Sequence, residues 1–216
     1  MIELRNISKI YRENEREVRA LDNVTLKIDA GEFVVVRGAS GSGKTTLLLS
    51  LGGMLKPTSG YLSIDGEEIY SKSEGERNRF RATKVGFVFQ MFHLLPYLTV
   101  LENVTIASVN KHKAEAEKLL REFGLGERLT HKPFALSAGE KQRTAVARAL
   151  INDPKILLAD EPTGNLDPDN AEEIMKSFEK FHKNGGTVVL VTHGNEADKY
   201  ADRIIKLKEG KLVEDL

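Results

Sequence analysis

Apolar positions along the chain change their period several times, and each change marks an element. Alternating and continuous β-branched runs in "MIELRNISKIY" and "VTLKIDAGEFVVVRG", broken by Gly31, predict strands through the first quarter. Between them, "YRENEREVRA" is charged and reads as a connection. Beyond Gly43 the apolar spacing of "KTTLLLSLGGML" fits a helix, brought to an end by Gly52, Gly53 and then Pro57. "GYLSIDGEEIY" carries the Asp-Gly of a tight hairpin, and "KVGFVF" is a short buried strand. From Leu101 to about Ile151 the pattern turns helical with one polar side, as in "HKAEAEKLLREFG", which predicts a small helical subdomain. "KILLAD" and "TVVLVTH" are unbroken apolar runs of strand length, each flanked by helical sequence. Such strands alternating with helices predict an α/β fold with a mostly parallel sheet covered on both faces.

Composition narrows the function classes. A chain of 216 residues holds one large domain or two small ones, with a sizeable core. Lysine plus arginine (32) equals aspartate plus glutamate (32), so no overall field attracts nucleic acid or an anionic membrane. The absence of cysteine excludes disulfides and thiolate metal sites. No secretory pattern opens the sequence, and the longest apolar stretch, around "LLLSLGGML", falls far short of the ~20 residues that span a bilayer. The expectation is a cytoplasmic protein whose membrane role, if any, is peripheral. A charged fraction of 30%, with two glutamines (Gln90 and Gln142), is of the kind enriched in thermophiles.

The strongest chemical signal is "GASGSGKTT", which follows the strand "FVVVRG" and opens a helix. Gly38, Gly43, Lys44 and Thr45 complete the pattern G-x-x-x-x-G-K-[ST] in its strand–loop–helix context. Glycines let the backbone curl so that several N–H groups face phosphate oxygens, and the helix N-terminus adds about half a positive charge. Lys44 supplies a point charge to the terminal phosphates, and the Thr45 hydroxyl can complete a Mg²⁺ coordination sphere.

Other candidates gather at strand ends. "KILLADEP" closes on two carboxylates: Asp160 can hold Mg²⁺ through water, and Glu161 can polarise an attacking water. Two solvated acids at the end of a buried strand would look the same, but a phosphate loop in the same sheet favours function. His193 ends "VLVTH" on the carboxyl edge where α/β sheets bind ligands, unless it is structural. Gln90 ends "VGFVFQ" and either touches metal and water or bonds the next loop. Tyr11 is either core edge or a flat surface for adenine. "LSAGEKQR" holds a capping box, Ser137 with Glu140, around the small Ala138 and Gly139.

Taken together, these motifs resemble the ATPase subunit of ABC transporters over essentially the full length. The phosphate loop, Gln90, "LSAGE", "ILLADEP", "GNLD" and His193 fall in that family's order, and "LSAGE" is its distinguishing signature. The resemblance implies a P-loop NTPase (ABC ATPase) fold with an N-terminal antiparallel β-subdomain and an inserted α-helical subdomain. It places the nucleotide-binding core in 1–90 and 152–216 and the helical part in 91–151. It implies a Mg²⁺-dependent ATPase in which two copies pack head to tail around two ATP molecules. Tyr11 and the loop Gly38, Ala39, Ser40, Gly41, Ser42, Gly43, Lys44, Thr45 and Thr46 would hold nucleotide. Thr45, Gln90 and Asp160 would face Mg²⁺, Glu161 would be general base, and His193 would contact the γ-phosphate. Ser137, Ala138, Gly139 and Glu140 would face the partner's ATP, with Asp167 in the loop crossing the interface.

"ADEPTGNLD" and "FVFQMFHLLPYLTVLENV" are similar to the subgroup serving lipoprotein release, macrolide export and cell division, in which a membrane permease docks against a groove that includes Met91–Leu101. Two departures stand out: Ala138 and Glu140 replace the commonest glycine and glutamine, and the helical segment before the signature is short. A nucleic-acid-directed ABC ATPase would carry insertions or basic extensions, and a P-loop kinase would leave "LSAGE" and "GNLD" unexplained; neither is favoured.

Overall fold

A computed structural model describes residues 1–13, 16–109 and 113–215. Strands β1 (Ile2–Glu13) and β2 (Arg16–Ile28) pair antiparallel, and β4 (Ser59–Ile64) and β5 (Glu67–Glu68) extend them into a sheet of order β2-β1-β4-β5. The β4–β5 turn is Asp65-Gly66 with positive φ at both residues, as a tight hairpin requires. "YRENEREVRA" is not a connection, however. Both strands run through most of it, with Tyr11 opposite Val18 and Arg12 opposite Glu17. Those positions are exposed, so cross-strand pairs such as Arg12–Glu17 at 3.4 Å hold the extension, and no buried face announces it.

The second sheet has β3 (Phe33–Arg37), β6 (Val85–Phe89), β7 (Ile156–Asp160), β8 (Thr187–Thr192), β9 (Arg203–Lys208) and β10 (Lys211–Asp215) in the order β10-β9-β3-β8-β7-β6. All its pairings are parallel except β9–β10. Burial follows the pleat: Val34 and Val36 join one core, Phe33 and Val35 the other. Helix α1 (Lys44–Leu51) lies in the first core between the two sheets through Leu47, Leu48 and Leu51. Helix α6 (Pro168–Lys183) covers the opposite face with Ile174, Met175 and Phe178.

Helices α3 (Val100–Thr105), α4 (Lys113–Glu122) and α5 (Ala138–Leu150) build a third cluster around Val104, Leu120 and Leu125. Helix α5 serves two cores at once, with Ala147 in the helical cluster and Val146 against the parallel sheet. Helix α2 (Glu74–Lys84) was not anticipated: it buries no residue and is held at its start by a Ser73–Glu76 capping box. Among the described residues no helix is long and apolar enough to cross a membrane.

Candidate functional site

Four neighbouring parallel strands, β3, β8, β7 and β6, end side by side, and each delivers one motif. The phosphate loop leaves β3, His193 follows β8, Asp160 and Glu161 end β7, and Gln90 follows β6. The pairings Arg37 with Thr192 and Asp160 with Phe89 keep those ends level, so residues more than 100 positions apart share one edge.

At the phosphate loop, Gly43 has φ 104°, and a Cβ there would stand 2.1 Å from the Ala20 carbonyl oxygen of β2. At Gly38 a Cβ would lie 2.4 Å from the Leu207 carbonyl oxygen. Neither position has room for a side chain, so the pattern's two glycines are demanded by close backbone approach. The α1 N-terminus also differs from its neighbours. Helices α2, α3, α5 and α6 start with a side chain capping their first amides, whereas α1 has no side-chain cap. No side chain among the described residues caps its first amides, an arrangement that suits an anion. The Ser42 hydroxyl is buried without a partner in the same loop.

Lys44 is buried, and its Nζ donates to the carbonyls of Gly38 (2.7 Å) and Ala39 (3.1 Å). It stands 3.7 Å from Glu161 Oε1. The other carboxylate oxygen of Glu161 accepts from the Thr192 hydroxyl at 2.9 Å and lies 3.0 Å from His193 Nδ1. Glu161 has φ 45°, a left-handed conformation that costs a non-glycine residue about 1 kcal/mol and turns its side chain out of the strand's alternation. A cleft of about 440 Å³ opens beside it, lined by Glu161, Gly164, Leu166, His193 and Tyr200. A larger groove, about 950 Å³, lies at the opposite strand ends near Phe123, Lys155 and Phe181 and carries none of these motifs.

Burial, the largest effect on Asp160, raises its pKa above the ordinary carboxylate value; Glu161 adds to this, while a hydrogen bond from Thr45 and the charge of Lys44 oppose it. The hydroxyl and carboxylate expected to face Mg²⁺ are therefore near enough to influence each other. This donor set, one hydroxyl and one carboxylate beside a phosphate cradle, fits an ion that takes only one or two protein ligands and completes its shell with phosphate oxygens and water. Gln90 is half-buried; its carbonyl accepts from Asn165 Nδ2 at 3.1 Å, and its side-chain amide lies against Gly164. Tyr11 is 43% exposed on the extended hairpin with Lys9 Nζ 5.3 Å from its ring, which removes the core-edge reading.

The signature stands apart from this cluster. Ser137 caps α5 and Glu140 returns to the Ser137 amide at 2.8 Å, completing the capping box. Glu140 also pairs with Arg128 at 2.7 Å, and that bond, with the Ser137 amide, lowers its pKa. At Gly139 a Cβ would meet Asn170 Oδ1 at 1.8 Å. Asn170 in turn bonds Asp167, the α6 cap, and accepts from Arg143 at 2.8 Å. The starts of α5 and α6 are thus locked side by side. Among the described residues, no hydrogen bond or ion pair joins 137–140 to the chain's own phosphate loop. Sequence reasoning missed Thr192, which reads as the last residue of an apolar strand, and Gln142, a polar residue of α5 that is fully buried.

Residues 21–164 match the family described as ABC transporter. The chain is 46% identical to an ABC transporter ATP-binding protein of Methanocaldococcus jannaschii, over 99% of this chain and 98% of that one. It is 44% identical to the macrolide export ATP-binding/permease protein MacB of Chlorobaculum tepidum, covering all of this chain but 34% of that protein. Among solved structures, a dimeric ATP-binding cassette in a post-hydrolysis state, bound to ADP and Pi, superposes with TM-score 0.94 at 40% identity. That superposition covers 100% of this chain and 98% of the other.

Proposed function

Because the chain belongs to the ABC transporter ATP-binding family, an ATPase cassette fold, we propose that it hydrolyses ATP in a head-to-tail pair with a second copy and so drives a membrane permease. The observation that carries this reading is the row of four strand ends, where phosphate loop, His193, Asp160–Glu161 and Gln90 converge. The phosphate loop and the uncapped start of α1 would hold the phosphates, with Lys44 exchanging its internal carbonyls for phosphate oxygens. Mg²⁺, held by Thr45, Asp160 and Gln90, would neutralise charge developing on the phosphates. Glu161 would take the proton of the attacking water as a P–O bond forms to the γ-phosphorus and the β–γ bridge leaves with ADP. The Thr192 hydroxyl donates to the Glu161 carboxylate, and His193, beside the same carboxylate, would contact the γ-phosphate. Tyr11, exposed on its hairpin, would stack on adenine.

Ser137, Ala138, Gly139 and Glu140 would complete the partner's site, with Asp167 beside them at the crossing. Two facts support the pair: the signature is not bonded to its own loop, and the similar cassette was solved as a dimer. The relative named a macrolide export ATP-binding/permease protein supports an integral-membrane permease of the lipoprotein-release or macrolide-export subgroup as partner, with this chain cytoplasmic and peripheral on the inner face of the cell membrane through it. A cell-division-type ATPase, acting on a permease without transport, is the alternative within the same subgroup. The balanced charge supports no nucleic-acid role.

The test is Glu161→Gln. With ATP and Mg²⁺ the variant should bind nucleotide, hydrolyse it slowly and elute as a dimer, and from native membranes it should copurify with a permease. Monomeric elution with bound ATP over a wide range of protein concentration would refute the paired site.

A further inference from the structure

The side chain of Gln142 sits where an apolar residue would be expected, fully buried on α5 five residues beyond Ser137. Its amide nitrogen donates to the Pro162 carbonyl at 2.6 Å and approaches the Phe89 carbonyl at 3.5 Å. Those two carbonyls belong to the residues directly after Glu161 and directly before Gln90. One NH₂ group therefore sits between the peptides that carry both groups expected to handle the attacking water. Its own oxygen is buried without a partner, a cost in stability that an apolar side chain of the same length would avoid. Two turns further along the same helix, Arg148 donates to the carbonyls of Phe92 (2.7 Å) and His93 (2.5 Å), both at positive φ. Helix α5 thus grips the segment after β6 at both ends and the peptide after Glu161 at one point.

We infer that Gln142 is a positioning residue that ties the signature end of α5 to the catalytic peptides of the same chain. A movement of α5, started where Ser137 meets the second copy's nucleotide, would shift Pro162 and Phe89 together and set Glu161 and Gln90 in or out of register. This inference rests on the ATPase reading above. It goes beyond that reading by giving the two nucleotide sites a short link: about 7.5 Å of helix axis, one side chain and its hydrogen bonds.

The test uses the full chain. Gln142→Met keeps the volume and removes the donor, so kcat should fall about fivefold or more while the Kd for Mg-ATP, read with a fluorescent analogue, stays within about twofold. Val146→Ala, on the same helix and buried against the sheet away from the clamp, should lower Tm without that kcat loss. If the methionine variant gives no soluble protein, Gln142→Glu, which is equally long and polar, is read by the same two numbers. A kcat within twofold of the unaltered protein, or a kcat loss in Val146→Ala that tracks its Tm loss as closely, would overturn the inference. Glu161→Gln measured in parallel separates the two levels: if it hydrolyses ATP normally, the ATPase reading fails first.

Discussion

Asp160→Asn tests the electrostatics of the site directly. Its carboxylate is half-buried, and burial is the main reason its pKa is raised, with Glu161 beside it as a further cause. The hydrogen bond from Thr45 survives the substitution, because the asparagine carbonyl still accepts it. The charge removed was therefore costing stability in the absence of metal, and its removal should stabilise the nucleotide-free protein. A fully buried carboxylate would give several kcal/mol; half-burial and Lys44 nearby reduce this to about 1 kcal/mol, or about 2–4 °C in Tm for a domain of this size. The sign with pH is fixed. A folded pKa above the unfolded one means the penalty is absent below the unfolded value and complete above the folded one. The gain in Tm should thus be full at pH 7.5 and shrink toward pH 4. Thermal unfolding without nucleotide, at several pH values, reads it. Adding Mg²⁺ to ATP should raise Tm further in the unaltered protein and not in the variant, which should also lose hydrolysis. A variant no more stable than its parent at pH 7.5, or a gain that does not change with pH, would refute the reasoning.

Lys44→Ala removes a buried charge-assisted donor and should weaken ATP binding by about 1.5–3 kcal/mol, roughly 10- to 150-fold by titration calorimetry. Gly43→Ala forces a Cβ toward the Ala20 carbonyl at φ 104°, so Tm should fall by several degrees and nucleotide binding be lost; unchanged binding would contradict the fit described for the loop. Glu140→Gln breaks the pair with a half-exposed Arg128 and should cost at most about 1 kcal/mol at pH 7. Because the Glu140 pKa is lowered on folding, that contribution exists above the ordinary carboxylate pKa and disappears as pH falls through the folded value; urea unfolding at pH 7 and pH 4 shows whether it does.

The parallel sheet was legible because its strands are continuous apolar runs, and the motifs at their ends followed once the strands were assigned. What escaped reading has a common physical cause. The strand positions 11–12 and 16–20 and helix α2 bury almost nothing, so their apolar pattern carries no signal. Cross-strand ion pairs and a cap hold them instead, and the Ser73–Glu76 spacing was there to be read. Gln142 and Thr192 escaped for the opposite reason: polar residues in places where packing is tight reveal their partners only when distant carbonyls and carboxylates are brought beside them. The signature's capping box was readable locally, but its separation from the phosphate loop was not, because that is a property of tertiary arrangement.

The knot beneath the phosphate loop also governs when in the life of the chain the loop becomes competent. Its Gly43 is wedged on Ala20, and the carbonyl of Ser42 accepts from the amide of Gly210 at 2.9 Å, while Gly210 accepts from Asp22 at 2.9 Å. Residues near 20, 42 and 210 must meet before that backbone is locked, and joining residues so distant in sequence carries a high loop-closure cost. During synthesis, residues up to at least 210 must leave the ribosome before the loop can settle. A nascent chain cut short of that turn would display the Gly-Lys-Thr motif in full and still lack the frame that shapes it for phosphate.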